Sequence, residues 1–190
     1  MDDKQTLRRR LKRQRRDHVA ALPASTSALL FKRPPNPVMA LVPPGASIGL
    51  YHAMPDEAPA AAYARFFQEA GHTIALPRFA TAQGAMEFRH FADPHGTSDL
   101  EPGPFGLRQP GAEAEAVVPD VLFVPLVGFT ADGRRLGQGG GHYDRWLEAH
   151  PQVIAIGLAW DCQLVDDLPH EPHDRPLAAV ITPTRLYGPF

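Results

Sequence analysis

Residues 119–160 read "PDVLFVPLVGFTADGRRLGQGGGHYDRWLEAHPQVIAIGLAW". The opening run, 119–129, is nearly all apolar and fits a strand buried on both faces. Residues 143–150 read as a helix, and 152–160 as a second strand. Strand, helix and strand in that order form a βαβ unit, whose two strands lie parallel. Between the first strand and the helix stand Gly137, Gly139, Gly140 and Gly141, interrupted only by Gln138. Glycine is the costliest residue to order, and a plain turn needs one or two. Three in succession imply a close approach to the backbone, by a ligand or by the sheet itself.

The same alternation extends outward. Residues 46–54 read as a strand, 56–71 as a helix with Gly71 at its C-terminal cap, and 72–79 as a second strand. A short strand at 86–91 precedes 92–116, a stretch with four prolines and four glycines, which reads as a long loop and a candidate wall for a site. Residues 177–184 read as the last strand. The expected fold is α/β: a mostly parallel open sheet with helices on both faces, a Rossmann-like three-layer single domain over 1–190. Residues 1–22 form its N-terminal basic helix, with Leu7 and Leu11 on one face and Lys4, Arg8 and Lys12 on a neighbouring one.

Charge is distributed unevenly. Residues 1–17 hold eight Lys or Arg against three Asp, whereas the remainder holds 11 basic and 18 acidic side chains. A basic arm on an acidic body can meet nucleic acid or the phosphates of a small ligand. The single cysteine, Cys162, cannot form an internal disulfide, so a reducing compartment is expected. No apolar run approaches the roughly 18 residues that span a bilayer. With no apolar segment near Met1, the expectation is a cytoplasmic protein with no membrane partner.

In open parallel sheets ligands bind beyond the carboxyl ends of strands, which is where the glycine run lies. Backbone N–H groups there can bond phosphate oxygens, and the following helix start favours negative charge. Asp144 is out of place beside a polyanion unless a divalent cation lies between them, and Mg²⁺ prefers oxygen ligands. The run is neither a Walker A loop nor a GxGxxG dinucleotide turn.

Residues 124–147, "VPLVGFTADGRRLGQGGGHYDRWL", resemble the pattern of the 5-formyltetrahydrofolate cyclo-ligase family. Lys4 and Arg8 fit its N-terminal K-x3-R pattern, "YHAMPDE" at 51–57 its strand-to-helix turn ending in Glu, and "ALPR" at 75–78 its next strand. "HEPHD" at 170–174 fits its acidic C-terminal motif, so the likeness spans nearly the whole chain. The resemblance implies an ATP- and Mg²⁺-dependent enzyme that converts 5-formyltetrahydrofolate to 5,10-methenyltetrahydrofolate, ADP and phosphate. It implies ATP contacts at Lys4, Arg8, Arg135, Leu136, Gly137, Gln138, Gly139, Gly140, Gly141, His142 and Tyr143. Arg135, Gly139, Gly140 and Gly141 would serve catalysis. The reduced folate would meet His52, Glu57, Gln138, Gly139, Gly140, Gly141 and His142, with Asp144 and Asp174 holding the metal. The protein is expected to be a monomer or weak homodimer.

Four positions depart from that family's pattern. Gln138 replaces a basic residue, His142 an aromatic one, Gln109 an acid, and Ala178 an aspartate. The loss at Gln138 is expected either to weaken binding or to shift cationic work to Arg134 or Arg135. Arg78 reads equally as a ligand-facing cation or a strand-end charge. His170 and His173 have a two-residue gap but no third partner for zinc. A non-catalytic nucleotide- or RNA-binding module on the same fold is the alternative, although nucleic acid is not the expected partner.

Overall fold

The computed structural model describes residues 3–169 and 175–190. In chain order the helices are α1 (Lys4–Ala21), α2 (Ala24–Ser27), α3 (Asn36–Met39), α4 (Ala61–Glu69) and α5 (His142–Ala149). The strands run β1 (Ile48–Gly49), β2 (Ile74–Phe79), β3 (Met86–His90), β4 (Leu100–Pro102), β5 (Arg108–Pro110) and β6 (Val121–Pro125). They continue with β7 (Gly128–Phe129), β8 (Arg135–Leu136), β9 (Ile154–Leu158), β10 (Ala179–Ile181) and β11 (Leu186–Tyr187). A seven-stranded sheet has the order β11-β10-β9-β6-β1-β2-β3. Its five central strands are parallel, while β3 and β11 close the edges antiparallel. This is the α/β architecture the sequence predicts, with two antiparallel edges added.

The centre of the sheet shows why 119–129 is so apolar. Val121, Leu122, Phe123 and Val124 are all fully buried. Val121 and Phe123 join Ile48, Ile74 and Ile156 on one face, beneath Tyr63 and Phe67 of α4. Tyr63 and Phe67 both lie 5.6 Å, centroid to centroid, from Phe123. Leu122 and Val124 point the other way, into a cluster with Trp146 and Leu147 of α5. Alternate side chains of one strand thus seat a helix on each face.

α1 starts at a side-chain cap, with the Thr6 N–H donating to Asp3 Oδ1 at 2.6 Å. Its buried stripe is Leu7, Leu11 and Arg15, and the leucines pack with Val127, Leu136 and Leu168. Helical spacing had predicted the leucines; an arginine continuing their stripe is new.

Three segments differ from the sequence expectation. β1 holds two residues rather than nine, and α4 begins at Ala61 instead of 56. The chain turns between them, because Glu57 N donates to Met54 O at 3.0 Å while Met54 N donates to Glu57 Oε2 at 2.9 Å. That reciprocal pair supports a turn in place of a helix start. The long 92–116 stretch is not bare loop: it holds the β4–β5 hairpin and a 3₁₀ turn at Pro104–Gly106. Two side chains fasten it to β2. Arg78 donates to Glu101 Oε1 and to Pro110 O, both at 2.6 Å. Gln109 pairs with both the N–H and the carbonyl of Phe79, each at 3.0 Å.

Candidate functional site

β1 lies between β2 and β6, so the chain leaves β1 toward one side of the sheet and β6 toward the other. Such a reversal of direction opens a crevice beyond the carboxyl ends of the two strands. The segment after β1 brings His52, Asp56 and Glu57 to it, and the segment after β6 brings the glycine run. α1 joins both: Arg15 donates to Asp56 Oδ2 at 3.0 and 2.9 Å and to Leu126 O at 3.3 Å.

Gln138 Nε2 donates to Glu57 Oε1 at 2.7 Å, which links the glycine run to the segment after β1. Glu57 is buried, and burial raises its pKa above the ordinary carboxylate value despite the Met54 N–H, Arg15 and Gln138, which all lower it. Arg8 Nε donates to Gly137 O at 3.0 Å and Lys12 Nζ to Gln138 O at 3.4 Å. Lys4 begins the same half-buried row of α1. The loop is thus held from α1 through its carbonyls and from Glu57 through a side chain.

The glycines have separate reasons. Gly139 has φ +111° and Gly141 φ +65°, conformations that favour glycine. A Cβ at Gly140 would come within 2.8 Å of the His142 ring, whereas one at Gly137 would meet nothing within 4 Å. The backbone at Gly137 is therefore open to close approach. α5 then starts with Gly141 as its N-terminal cap and Asp144 in its first turn.

Arg135 lies in β8, where its side chain, 5% exposed, pairs with Asp144 and donates to Arg175 O at 2.6 Å. Leu136 points into the core beside Leu7 and Leu11, so only its backbone faces the loop. His142 stands 4.9 Å from the Phe79 ring and 5.9 Å from Phe105, and Arg145 reaches both its Nδ1 and Gly140 O. Burial, then the Arg145 charge, lowers the imidazole pKa, which keeps the ring neutral at physiological pH. Tyr143 packs half-buried behind the loop, its phenol pKa raised by burial and by Glu57. His52 Nδ1 is buried without a hydrogen-bond partner among the described residues, and desolvation followed by Arg108 lowers its pKa.

Lys4, Arg8, Glu57, Arg135, Gln138, the glycines, His142, Tyr143 and Asp144 therefore belong to segments that meet at this crevice. Asp174, His170 and His173 lie outside the described residues. Among the described residues no group of three or more His, Cys, Asp or Glu could hold a metal. Arg78 serves the β2–hairpin joint. Arg134 pairs with Asp132 and Asp167, both exposed. Ala178 precedes β10 and bonds through its N–H to Ala155 O at 2.7 Å.

Sequence reasoning missed Arg15, Asp56 and Phe105. Arg15 carried a signal, since it stands four residues after Leu11 on the apolar stripe. Phe105 is exposed, has φ +64°, and lies 5.5 Å from Phe79. It reads as one more aromatic in a Pro- and Gly-rich stretch until the fold places it near His142. Among the described residues no helix is long and apolar enough to cross a membrane.

Residues 1–183 match the 5-formyltetrahydrofolate cyclo-ligase family. The Escherichia coli K12 protein named 5-formyltetrahydrofolate cyclo-ligase is 42% identical over 103 residues, 51% of this chain and 57% of that protein. Its mouse namesake is 26% identical over 145 residues, 70% of this chain and 71% of that one. The match thus spans little more than half of the Escherichia coli protein. A 5,10-methenyltetrahydrofolate synthetase from Mycoplasma pneumoniae has the same fold, with TM-score 0.67 at 24% identity over 95% of this chain and 98% of that one. The one from Aquifex aeolicus has TM-score 0.60 at 23% identity over 100% and 85%. By the match across nearly its full length, the chain belongs to the 5-formyltetrahydrofolate cyclo-ligase family.

Proposed function

We propose that this chain catalyses ATP-dependent closure of 5-formyltetrahydrofolate to 5,10-methenyltetrahydrofolate. The observation that carries the reading is the Glu57–Gln138 hydrogen bond, because it brings a buried carboxylate suited to a pterin against a glycine loop suited to phosphates. The pterin's amino-pyrimidinone edge offers adjacent N–H donors to Glu57. Each carboxylate oxygen accepts more than one hydrogen bond, so Glu57 can hold a ligand edge along with its own partners. Lys4 and Arg8 face the ATP phosphates from α1, and the backbone from Gly139 to Gly141 approaches them from the start of α5.

The formyl oxygen attacks the γ-phosphorus of ATP while the bond to the ADP oxygen breaks. This leaves a phosphorylated iminium on N5. N10 adds to the same carbon and loses its proton, and the carbon–oxygen bond then breaks to release phosphate. Such chemistry depends on alignment and charge neutralisation, not on a protein nucleophile. Neutral His142 packs against Phe79 and Phe105 at this end of the crevice.

Asp144 fits a magnesium ligand in its donor chemistry. It is a hard carboxylate in the first turn of α5, 36% exposed, with one oxygen engaged by Arg135. Asp174 is the second candidate. When bound, the ion neutralises phosphate charge.

The test is near-ultraviolet absorbance of the conjugated methenyl product, with wild type and Asp144→Ala side by side. A rise that needs both ATP and Mg²⁺ and is lost in the variant supports the reading. No rise from wild type, beside a working family member, rejects it.

A further inference from the structure

Lys4, Arg8 and Lys12 form the half-buried row of α1, whereas Arg9, Arg13 and Arg16 on the same helix are exposed. Four-residue spacing turns the half-buried row toward the glycine run. Lys12 Nζ reaches Gln138 O at 3.4 Å, a long and weak contact for an ammonium that carries three donors. Burial lowers the Lys12 pKa, and Arg15 and Arg8 lower it further, against an opposing pull from Asp56 and Glu57. The ammonium is therefore partly stripped of water where it stands, and an arriving anion would favour its charged form.

Other cations around the run are committed elsewhere. Arg15 is held by Asp56 and Leu126 O, Arg135 by Asp144 and Arg175 O, and Arg145 by Gly140 O. Lys12 lies between the two halves of the crevice. It touches the glycine loop at residue 138 and interacts electrostatically with Asp56 and Glu57 from the segment after β1. A phosphoryl group moving from a nucleotide on the loop to a substrate held at Glu57 crosses that boundary.

We propose that Lys12 binds the γ-phosphoryl group of ATP, as a cation of the site additional to Lys4 and Arg8. Gln138 O gives up its long contact, and the ammonium turns its donors to phosphate oxygens as charge develops there. The assignment rests on the cyclo-ligase reading for what the phosphoryl group moves to, though not for its binding.

The experiment compares equilibrium affinities for ATP and ADP, with Mg²⁺ present, in wild type, Lys12→Met and Lys12→Arg. Thermal unfolding checks that each variant folds, and Lys12→Gln replaces the methionine variant if that one does not. The expected result is a preference for ATP over ADP that falls about tenfold or more in Lys12→Met and is largely kept in Lys12→Arg. A preference unchanged by Lys12→Met, equal losses for the two nucleotides, or a wild type that binds ATP no better than ADP overturns the assignment. A falling preference in a protein that forms no methenyl product keeps Lys12 as the γ-phosphate cation and rejects the cyclo-ligase reading.

Discussion

Gln138 Nε2 and Glu57 Oε1 meet at 2.7 Å from segments that leave the sheet in opposite directions. Neither residue is close to the other in sequence, yet the contact spans the crevice where β1 and β6 diverge. A ligand bound at Glu57 would share the carboxylate that holds Gln138. Arg15, itself buried, fixes the other side of this joint through its pair with the half-buried Asp56, one residue from Glu57.

Glu57 gives a pH prediction. Burial raises its pKa in the folded protein, so the native state holds this proton more tightly than the unfolded chain does. Its contribution to stability is present in acid and lost as pH rises through the folded pKa. Glu57→Gln carries no such titration. The melting temperature of the variant relative to wild type should therefore shift in the variant's favour between about pH 4 and about pH 7. The opposite trend would mean that Arg15 and Gln138 outweigh desolvation. At neutral pH, kcat/KM for 5-formyltetrahydrofolate should fall roughly 10- to 100-fold, since an amide offers one acceptor where two oxygens now work.

Gly137 and Gly139 should respond differently to alanine. Gly139→Ala forces an L residue to φ +111°, which costs about 1–3 kcal/mol of stability and deforms the loop. Gly137→Ala meets no atom within 4 Å and no positive φ, so its stability should match wild type. Its methyl nevertheless projects into the space through which a nucleotide would approach, and KM for ATP should rise several-fold. An unchanged KM in a stable Gly137→Ala protein would show that phosphates do not approach this residue.

The βαβ unit at 119–160 was legible because both of its physical signals are local: an apolar run for a doubly buried strand, and glycines ahead of an amphipathic helix. The two-residue β1 was not, because Leu50 makes the last bond of the ladder, its N–H donating to Ala75 O at 2.9 Å, while Tyr51 stays buried beyond it, and the two cases look the same in sequence. Glu57 stood as a candidate site residue by resemblance, and its raised pKa came only with the fold. The role of Gln109 was not legible for a related reason. In sequence it stands only as a replaced acid of a family pattern, whereas its amide is spent on the Phe79 backbone. Arg135 and Asp144 were assigned separately, and nothing in their nine-residue separation shows that they pair.

The Gln109 amide both donates to Phe79 O and accepts from Phe79 N, a pairing that a carboxylate cannot satisfy. Gln109→Glu places two acceptors against a buried carbonyl and should destabilise the protein by roughly 2–3 kcal/mol at neutral pH. The introduced carboxyl regains a donor when protonated, so the deficit should shrink as pH falls. Thermal melts across pH decide the matter. A variant as stable as wild type at neutral pH would show that the 100–110 hairpin does not need this anchor.

Arg135 and Asp144 separate stability from catalysis. Asp144→Ala removes a carboxylate from a nearly buried guanidinium and should cost about 2 kcal/mol, less than for a fully buried pair because Asp144 is 36% exposed. Adding Arg135→Met removes the stranded charge and should restore part of that loss, although the bond to Arg175 O goes with it. Turnover should not return, because the double variant lacks both the proposed magnesium carboxylate and an arginine that the family resemblance places in the nucleotide loop. Melting temperature and Mg²⁺-dependent product formation, measured on both proteins, distinguish the two roles. Full Mg²⁺-dependent turnover in Asp144→Ala would reduce Asp144 to a structural partner of Arg135 and shift the metal assignment to other oxygens.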